Sequence, residues 1–165
     1  MTILDKISER AKLRVARCKE KVSPDEIKAQ ALNMPRGTFP FEVALWKSGL
    51  SFICECKKAS PSKGLIAENF PYVDIAKAYE AAGADAVSIL TEPEFFLGED
   101  KFLAEIAAQV SIPCLRKDFV VDDYMIYQAK VLGASAALLI CAILDETQLK
   151  NFIAACDRLG LSALV

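Results

Sequence analysis

No histidine occurs among the 165 residues. This excludes Ser-His and Cys-His nucleophilic designs and histidine-ligated metal sites, leaving lysines and carboxylates as the acid and base groups. An excess of one charge is lacking too: 20 Lys and Arg against 22 Asp and Glu give a net charge of −2. Such a balance offers no general attraction to nucleic acid, so no nucleic-acid partner is expected and any cationic function must be local. Long hydrophobic runs are missing. The longest, Ala136–Leu144, is too short for a bilayer, and the N-terminus lacks a signal-peptide pattern. No membrane partner is expected, and the chain reads as cytoplasmic. No Gly-x-Gly-x-x-Gly turn follows the first strand pattern, which counts against a dinucleotide site.

What is present suffices for a substantial core, since 53% of residues are hydrophobic. The six cysteines (18, 54, 56, 114, 141 and 156) are scattered, and four lie in strand patterns with apolar neighbours. That is the pattern of free, buried thiols. Cys54-x-Cys56 has no second pair at ligand spacing, so no metal is expected.

Two segments precede the first strand. Residues 3–21 carry helical apolar spacing at Ile3, Leu4, Ile7, Ala11 and Val15. The basic residues Lys12, Arg14, Arg17, Lys19 and Lys21 fall largely elsewhere on the wheel and read as a solvated face. A second helix spans 24–33, before the loop signal Pro35-Arg36-Gly37. From residue 51 strands and helices alternate. Strands are expected at 51–57, 86–91, 114–117, 136–141 and 163–165, with helices near 72–82, 100–110, 122–132 and 145–159. Asp122 and Asp145 are candidate N-caps, and Gly83, Gly133 and Gly160 candidate C-terminal stops. Each of these glycines leads from a helix into an apolar strand, an internal repeat.

Repeated βα units with near-continuous apolar strands imply a parallel sheet covered by helices. Polar residues recur at the strand C-terminal ends: Glu55 and Lys57, then Thr91 and Glu92, then Arg116, Lys117 and Asp118. Functional groups gathered at one end from successive strands are the (β/α)8 TIM-barrel layout. The expected division is an N-terminal helical extension, 1–50, and the first half of a (β/α)8 barrel, 51–165. A closed barrel takes about 250 residues, so about four βα units are present. Such a half barrel would leave apolar outer strands unpaired, favouring self-association.

The residues with the most chemical content sit in the first strand. Period two places Glu55 and Lys57 on one face and Phe52, Cys54 and Cys56 on the other. A solvated edge strand would also carry Glu-x-Lys. The apolar opposite face and the buried strands that follow make an edge the less favoured place. Burying either ion alone costs several kcal/mol, roughly, so the two must pair, reach a polar cavity or meet a ligand. In Ile112-Pro113-Cys114-Leu115-Arg116-Lys117-Asp118-Phe119, the same alternation lets only one of the two cations point inward. Two lysines converging at a barrel mouth would attract an anionic substrate, and a desolvated lysine beside carboxylates can act as an acid near neutral pH.

The string Phe52-Ile53-Cys54-Glu55-Cys56-Lys57-Lys58-Ala59-Ser60-Pro61-Ser62 resembles the signature of indole-3-glycerol-phosphate synthase, an enzyme of tryptophan biosynthesis. Ser88-Ile89-Leu90-Thr91-Glu92 with Phe95-Phe96, the segment 112–119 and the helical extension resemble the same family. The resemblance implies a carbon–carbon lyase that decarboxylates and cyclises an anionic phosphosugar-anthranilate substrate, 1-(2-carboxyphenylamino)-1-deoxyribulose 5-phosphate. It implies no cofactor and no metal. By position, Lys117 matches the family's general acid, Lys57 the lysine that meets the substrate carboxylate, and Glu55 a catalytic carboxylate orienting both. Phe96 and Phe119 resemble the wall around the anthranilate ring, and Ser62 lies where the first βα loop nears the phosphate. A second catalytic glutamate is expected just beyond Val165, with the main phosphate loops further on, so the 165-residue chain by itself is expected to be inactive. Two alternatives stand beside this reading. One is a non-catalytic, self-associating half-barrel scaffold; the other is a different phosphosugar enzyme such as phosphoribosylanthranilate isomerase, which the Glu-x-Lys-Lys-x-Ser-Pro-Ser string disfavours.

Overall fold

A computed structural model describes residues 2–165. Three helices come first: α1 (Ile3–Lys21), α2 (Pro24–Asn33) and α3 (Pro40–Leu45). The first two start on strong local signals. Thr2 and Asp5 form a reciprocal capping box on α1, while Ser23 caps α2 with Pro24 in its first turn. The apolar stripe Ile7, Ala11 and Val15 is buried, as its spacing requires. The third helix lies beyond the Pro-Arg-Gly loop, where six residues are too few to show a period.

The strands are β1 (Ile53–Cys56), β2 (Ala59–Ser60), β3 (Gly64–Leu65), β4 (Ala86–Leu90), β5 (Cys114–Lys117), β6 (Ala136–Leu138) and β7 (Ser162–Leu164). Five form one parallel sheet in the order β1-β4-β5-β6-β7, and β2 and β3 make a small antiparallel hairpin. Between the strands run α4 (Tyr72–Ala81), α5 (Asp100–Ala107), α6 (Tyr124–Val131) and α7 (Glu146–Leu159). Gly83, Gly133 and Gly160 follow α4, α6 and α7 at φ of 89°, 88° and 68°, the left-handed geometry that lets the chain leave a helix abruptly. Gly160 also packs its backbone against Gly37, whose N–H donates to Leu159 O at 2.9 Å.

The sheet's two faces have different partners. Cys56, Val87, Ile89 and Cys114 face a core with Ala76, Phe102, Leu103 and Ile106 from α4 and α5. A second core joins α1, α2, α6 and α7 to Ala137 and Leu139. On the opposite face, Phe41 of α3 is buried against Ala86, Leu115 and Ala136. Since alternate residues share a face, α3 covers the lower part of the surface whose upper part carries Glu55 and Lys117.

Several sequence expectations need correction. The lesser weight given to an edge for the Glu55–Lys57 strand is one: among the described residues β1 is bonded only to β4, as the half-barrel reading expects of an outer strand, with Phe52 57% and Ile53 42% exposed. Period two sorts residues between faces but cannot count neighbouring strands. The strand expected at 136–141 ends at Leu138: Leu139 N still donates to Leu164 O at 2.8 Å, then Cys141–Ile143 form a 3-10 turn leading to the Asp145 capping box. Cys141 is consequently exposed, while Cys56, Cys114 and Cys156 are buried. Asp123 occupies the N-cap of α6, and Asp122 instead accepts from Tyr124 N at 3.0 Å. The basic residues of α1 are not simply a solvated face: Arg14 reaches Asp118 at 2.6 Å and Lys19 reaches Asp122 at 2.7 Å. Among the described residues no helix is long and apolar enough to cross a membrane.

Candidate active site

In the β1–β4 register Glu55 stands beside Ser88, and in the β4–β5 register Leu90 stands beside Lys117. These pairings bring three charged groups to one end of one face. Lys57 Nζ donates to Glu55 Oε1 at 2.8 Å, and Lys117 Nζ donates to Glu55 Oε2 at 3.0 Å. Ser88 Oγ donates to the same Oε2 at 3.3 Å. One carboxylate therefore bridges two ammonium groups, each of the three about a third exposed: Glu55 27%, Lys57 36%, Lys117 35%. Burial opposes ionisation of Glu55, but the hydrogen bonds and positive charge of both lysines outweigh it and hold the carboxyl below its ordinary range. The site carries one net positive charge, suited to an anion.

Beside this triad opens a cavity of about 980 Å³. Lys57, Ser60, Ser62 and Lys63 form a polar, cationic side, while Ile3, Leu4, Ile7, Phe96 and Phe119 supply apolar surface. The rings of Phe96 and Phe119 lie 6.1 Å apart, inclined at 35°. Such a cavity can hold a molecule with an aromatic part and an anionic part. Lys57, Ser62, Phe96 and Phe119 thus line one space. Glu55 adjoins it through its contact with Lys57, and Lys117 is tied to Glu55 in turn.

Other residues named for the strand ends do different work. Arg116 points to the helical side, donating to Met125 O at 3.0 Å, Gln128 Oε1 at 2.9 Å and Asp100 Oδ1 at 2.7 Å. Thr91 donates to Asp118 Oδ2 at 2.6 Å. Glu92 is buried and accepts from the backbone N–H groups of Glu94, Phe95 and Phe96 at 3.0, 2.7 and 3.0 Å. It shapes the loop that carries Phe96, closed by Gly98, where a Cβ would strike the Leu90 carbonyl. Sequence reasoning missed Ser88, Lys63 and the α1 wall as parts of the site. Ser88 was readable only from strand register, and Ile3, Leu4 and Ile7 look like any apolar helix face.

Comparison with known proteins points to one family. A family model described as "Indole-3-glycerol phosphate synthase" matches residues 4–165. Proteins of that name include one from Ruminiclostridium cellulolyticum, 57% identical over 164 residues, covering 99% of this chain and 63% of the relative. The Endomicrobium trichonymphae protein is 51% identical over 164 residues (99% and 64%), and that of Lachnoclostridium phytofermentans 49% over 175 residues (99% and 65%). The chain spans about 63% to 65% of the length of these curated relatives.

Proposed function

The chain belongs to the indole-3-glycerol phosphate synthase family, and on that premise we propose that its protein closes the indole ring of 1-(2-carboxyphenylamino)-1-deoxyribulose 5-phosphate in tryptophan biosynthesis. The observation that carries the reading is Glu55 held between Lys57 and Lys117 beside a cavity with aromatic and cationic sides. In ring closure the aromatic carbon bearing the carboxylate bonds to the ribulose carbonyl carbon. The carbonyl oxygen takes a proton, for which the Lys117 ammonium is the donor. The carboxylate then leaves as carbon dioxide, restoring aromaticity, and the new hydroxyl leaves with a proton as water while the neighbouring ribulose-derived C1 loses a proton, which forms the double bond of the indole. Lys57 meets the substrate carboxylate and Glu55 orients both ammonium groups. Phe96 and Phe119 flank the anthranilate ring, and Ser62, with Lys63 nearby, faces the phosphate. A cytoplasmic location belongs to the same proposal, supported by six cysteines that are all free.

The test is turnover of the carboxyphenylamino substrate by the full-length protein, followed by indole fluorescence. Lys117→Met should lower kcat by about 10²- to 10⁴-fold, the usual weight of a positioned acid. No turnover in the unmodified protein, or full turnover in the variant, would sink the reading.

A further inference from the structure

Asp118 is a buried charge that the proposed chemistry does not use. Its side chain is 0% exposed, yet it follows Lys117 directly and precedes Phe119, which lines the cavity. Four groups hold it: Thr91 Oγ1 donates at 2.6 Å, Phe119 N at 2.8 Å and Arg14 Nη2 at 2.6 Å, and Arg116 Nη2 lies 3.6 Å away. Arg116, on the other side of Lys117, is anchored just as firmly to α5 and α6. Since alternate residues point to opposite faces, fastening residues 116 and 118 on the helical side dictates where Lys117 emerges on the other. Every member of this clasp except Arg14 belongs to the βα units.

We propose that Arg14 is a positioning residue: through Asp118 it clamps the end of β5, so that Lys117 meets Glu55 and Phe119 faces the cavity. The helical extension would then act at the site twice, as a wall through Ile3, Leu4 and Ile7 and as a clamp through Arg14. The guanidinium suits the task, being a rigid fork that keeps its charge while mostly buried. The catalytic meaning of the clamp rests on the reading of Lys117 as the acid. The geometric claim does not.

A lysine-reactivity experiment separates the two. Native protein is labelled by limiting reductive methylation and each lysine's rate is read by peptide mass spectrometry, with exposed Lys150 as internal reference. Arg14→Met should raise the relative rate of Lys117 about threefold or more as its contact with Glu55 loosens, and Arg14→Lys should raise it less. Lys19→Met supplies the control, because it breaks another α1 ion pair, to Asp122, without touching Asp118. In the full-length enzyme Arg14→Met should lower kcat up to about 10²-fold, as for a misplaced reacting group, with little change in KM. An unchanged Lys117 rate in folded Arg14→Met, or an equal rise in Lys19→Met, overturns the clamp. Should Arg14→Met fail to fold, the comparison of Arg14→Lys with Lys19→Met decides by the same criterion. If full-length protein shows no turnover but the Lys117 rate responds as stated, the clamp stands and the lyase reading falls.

Discussion

Glu55 and Lys117 meet at 3.0 Å although 62 positions separate them in the chain. Two strand registers, β1 on β4 and β4 on β5, carry that distance across the sheet. The same carboxylate takes Lys57 from two residues away, so one local and one long-range pairing converge on a single acid.

Glu55→Gln should separate stability from activity. The triad is partly exposed, and exposed ion pairs contribute about 0–1 kcal/mol, so the midpoint of urea unfolding should barely move. Turnover should fall by about 10²-fold or more, because two adjacent ammonium groups then lack the anion that orients them. A large stability loss with intact turnover would contradict the assignment.

Asp118 should make the fold acid-sensitive. Burial would raise its pKa, but the charges of Arg14 and Arg116 and the hydrogen bonds it accepts lower it. A carboxyl with a depressed native pKa stabilises the fold above its unfolded value, about 3.9 for Asp, and that stabilisation is lost as pH falls through the native value. Glu55 adds in the same direction, from an unfolded value of about 4.3. Denaturant titrations at pH 6, 4 and 3 should show the loss. Asp118→Asn should be less stable at pH 6, by about 3 kcal/mol, but lose less between pH 6 and 3. An identical acid loss in the variant would refute the role given to Asp118.

Thiol accessibility should follow tertiary position. Burial pushes the Cys56, Cys114 and Cys156 thiols up to about 12. In native protein at pH 8 these three should stay silent to a chromogenic disulfide reagent while exposed Cys141 reacts first. Their raised values stabilise the fold fully below the unfolded thiol pKa, about 8.5, and that stabilisation declines as pH climbs toward the native values. Rapid reaction of Cys114 without unfolding would show that the outer core opens.

Glu92→Ala should unsettle the loop bearing Phe96. Three backbone N–H groups lose their acceptor, at a cost of about 1–3 kcal/mol for each one left buried. With Phe96 released from its place beside Phe119, KM should rise more than kcat falls, since the ring contributes to binding rather than to proton transfer. A variant with unchanged KM would mean that the cavity does not need this wall.

Much of the architecture was legible because it depends on local signals. The starts of α1, α2 and α7 follow from Thr2, Ser23 and Asp145, and the glycine stops from the need for positive φ. Strict alternation required Arg116 and Lys117 to point to opposite faces, and the family resemblance chose Lys117 for the site. The cover that α3 gives one face of the sheet and the early end of β6 were not legible, because each depends on which other segments lie alongside.

The candidate site divides in the same way. The sequence alone determined the candidates: with no histidine, charge at strand ends and a resemblance to a long family signature, it singled out Glu55, Lys57 and Lys117. Only tertiary structure decided that Thr91, Glu92, Arg116 and Asp118 serve as scaffolding, and that Arg14 reaches Asp118 across 104 positions. The reason is physical. Side-chain periodicity is a property of the local backbone, whereas a buried ion pair exists only after packing has removed the water and brought its two halves together.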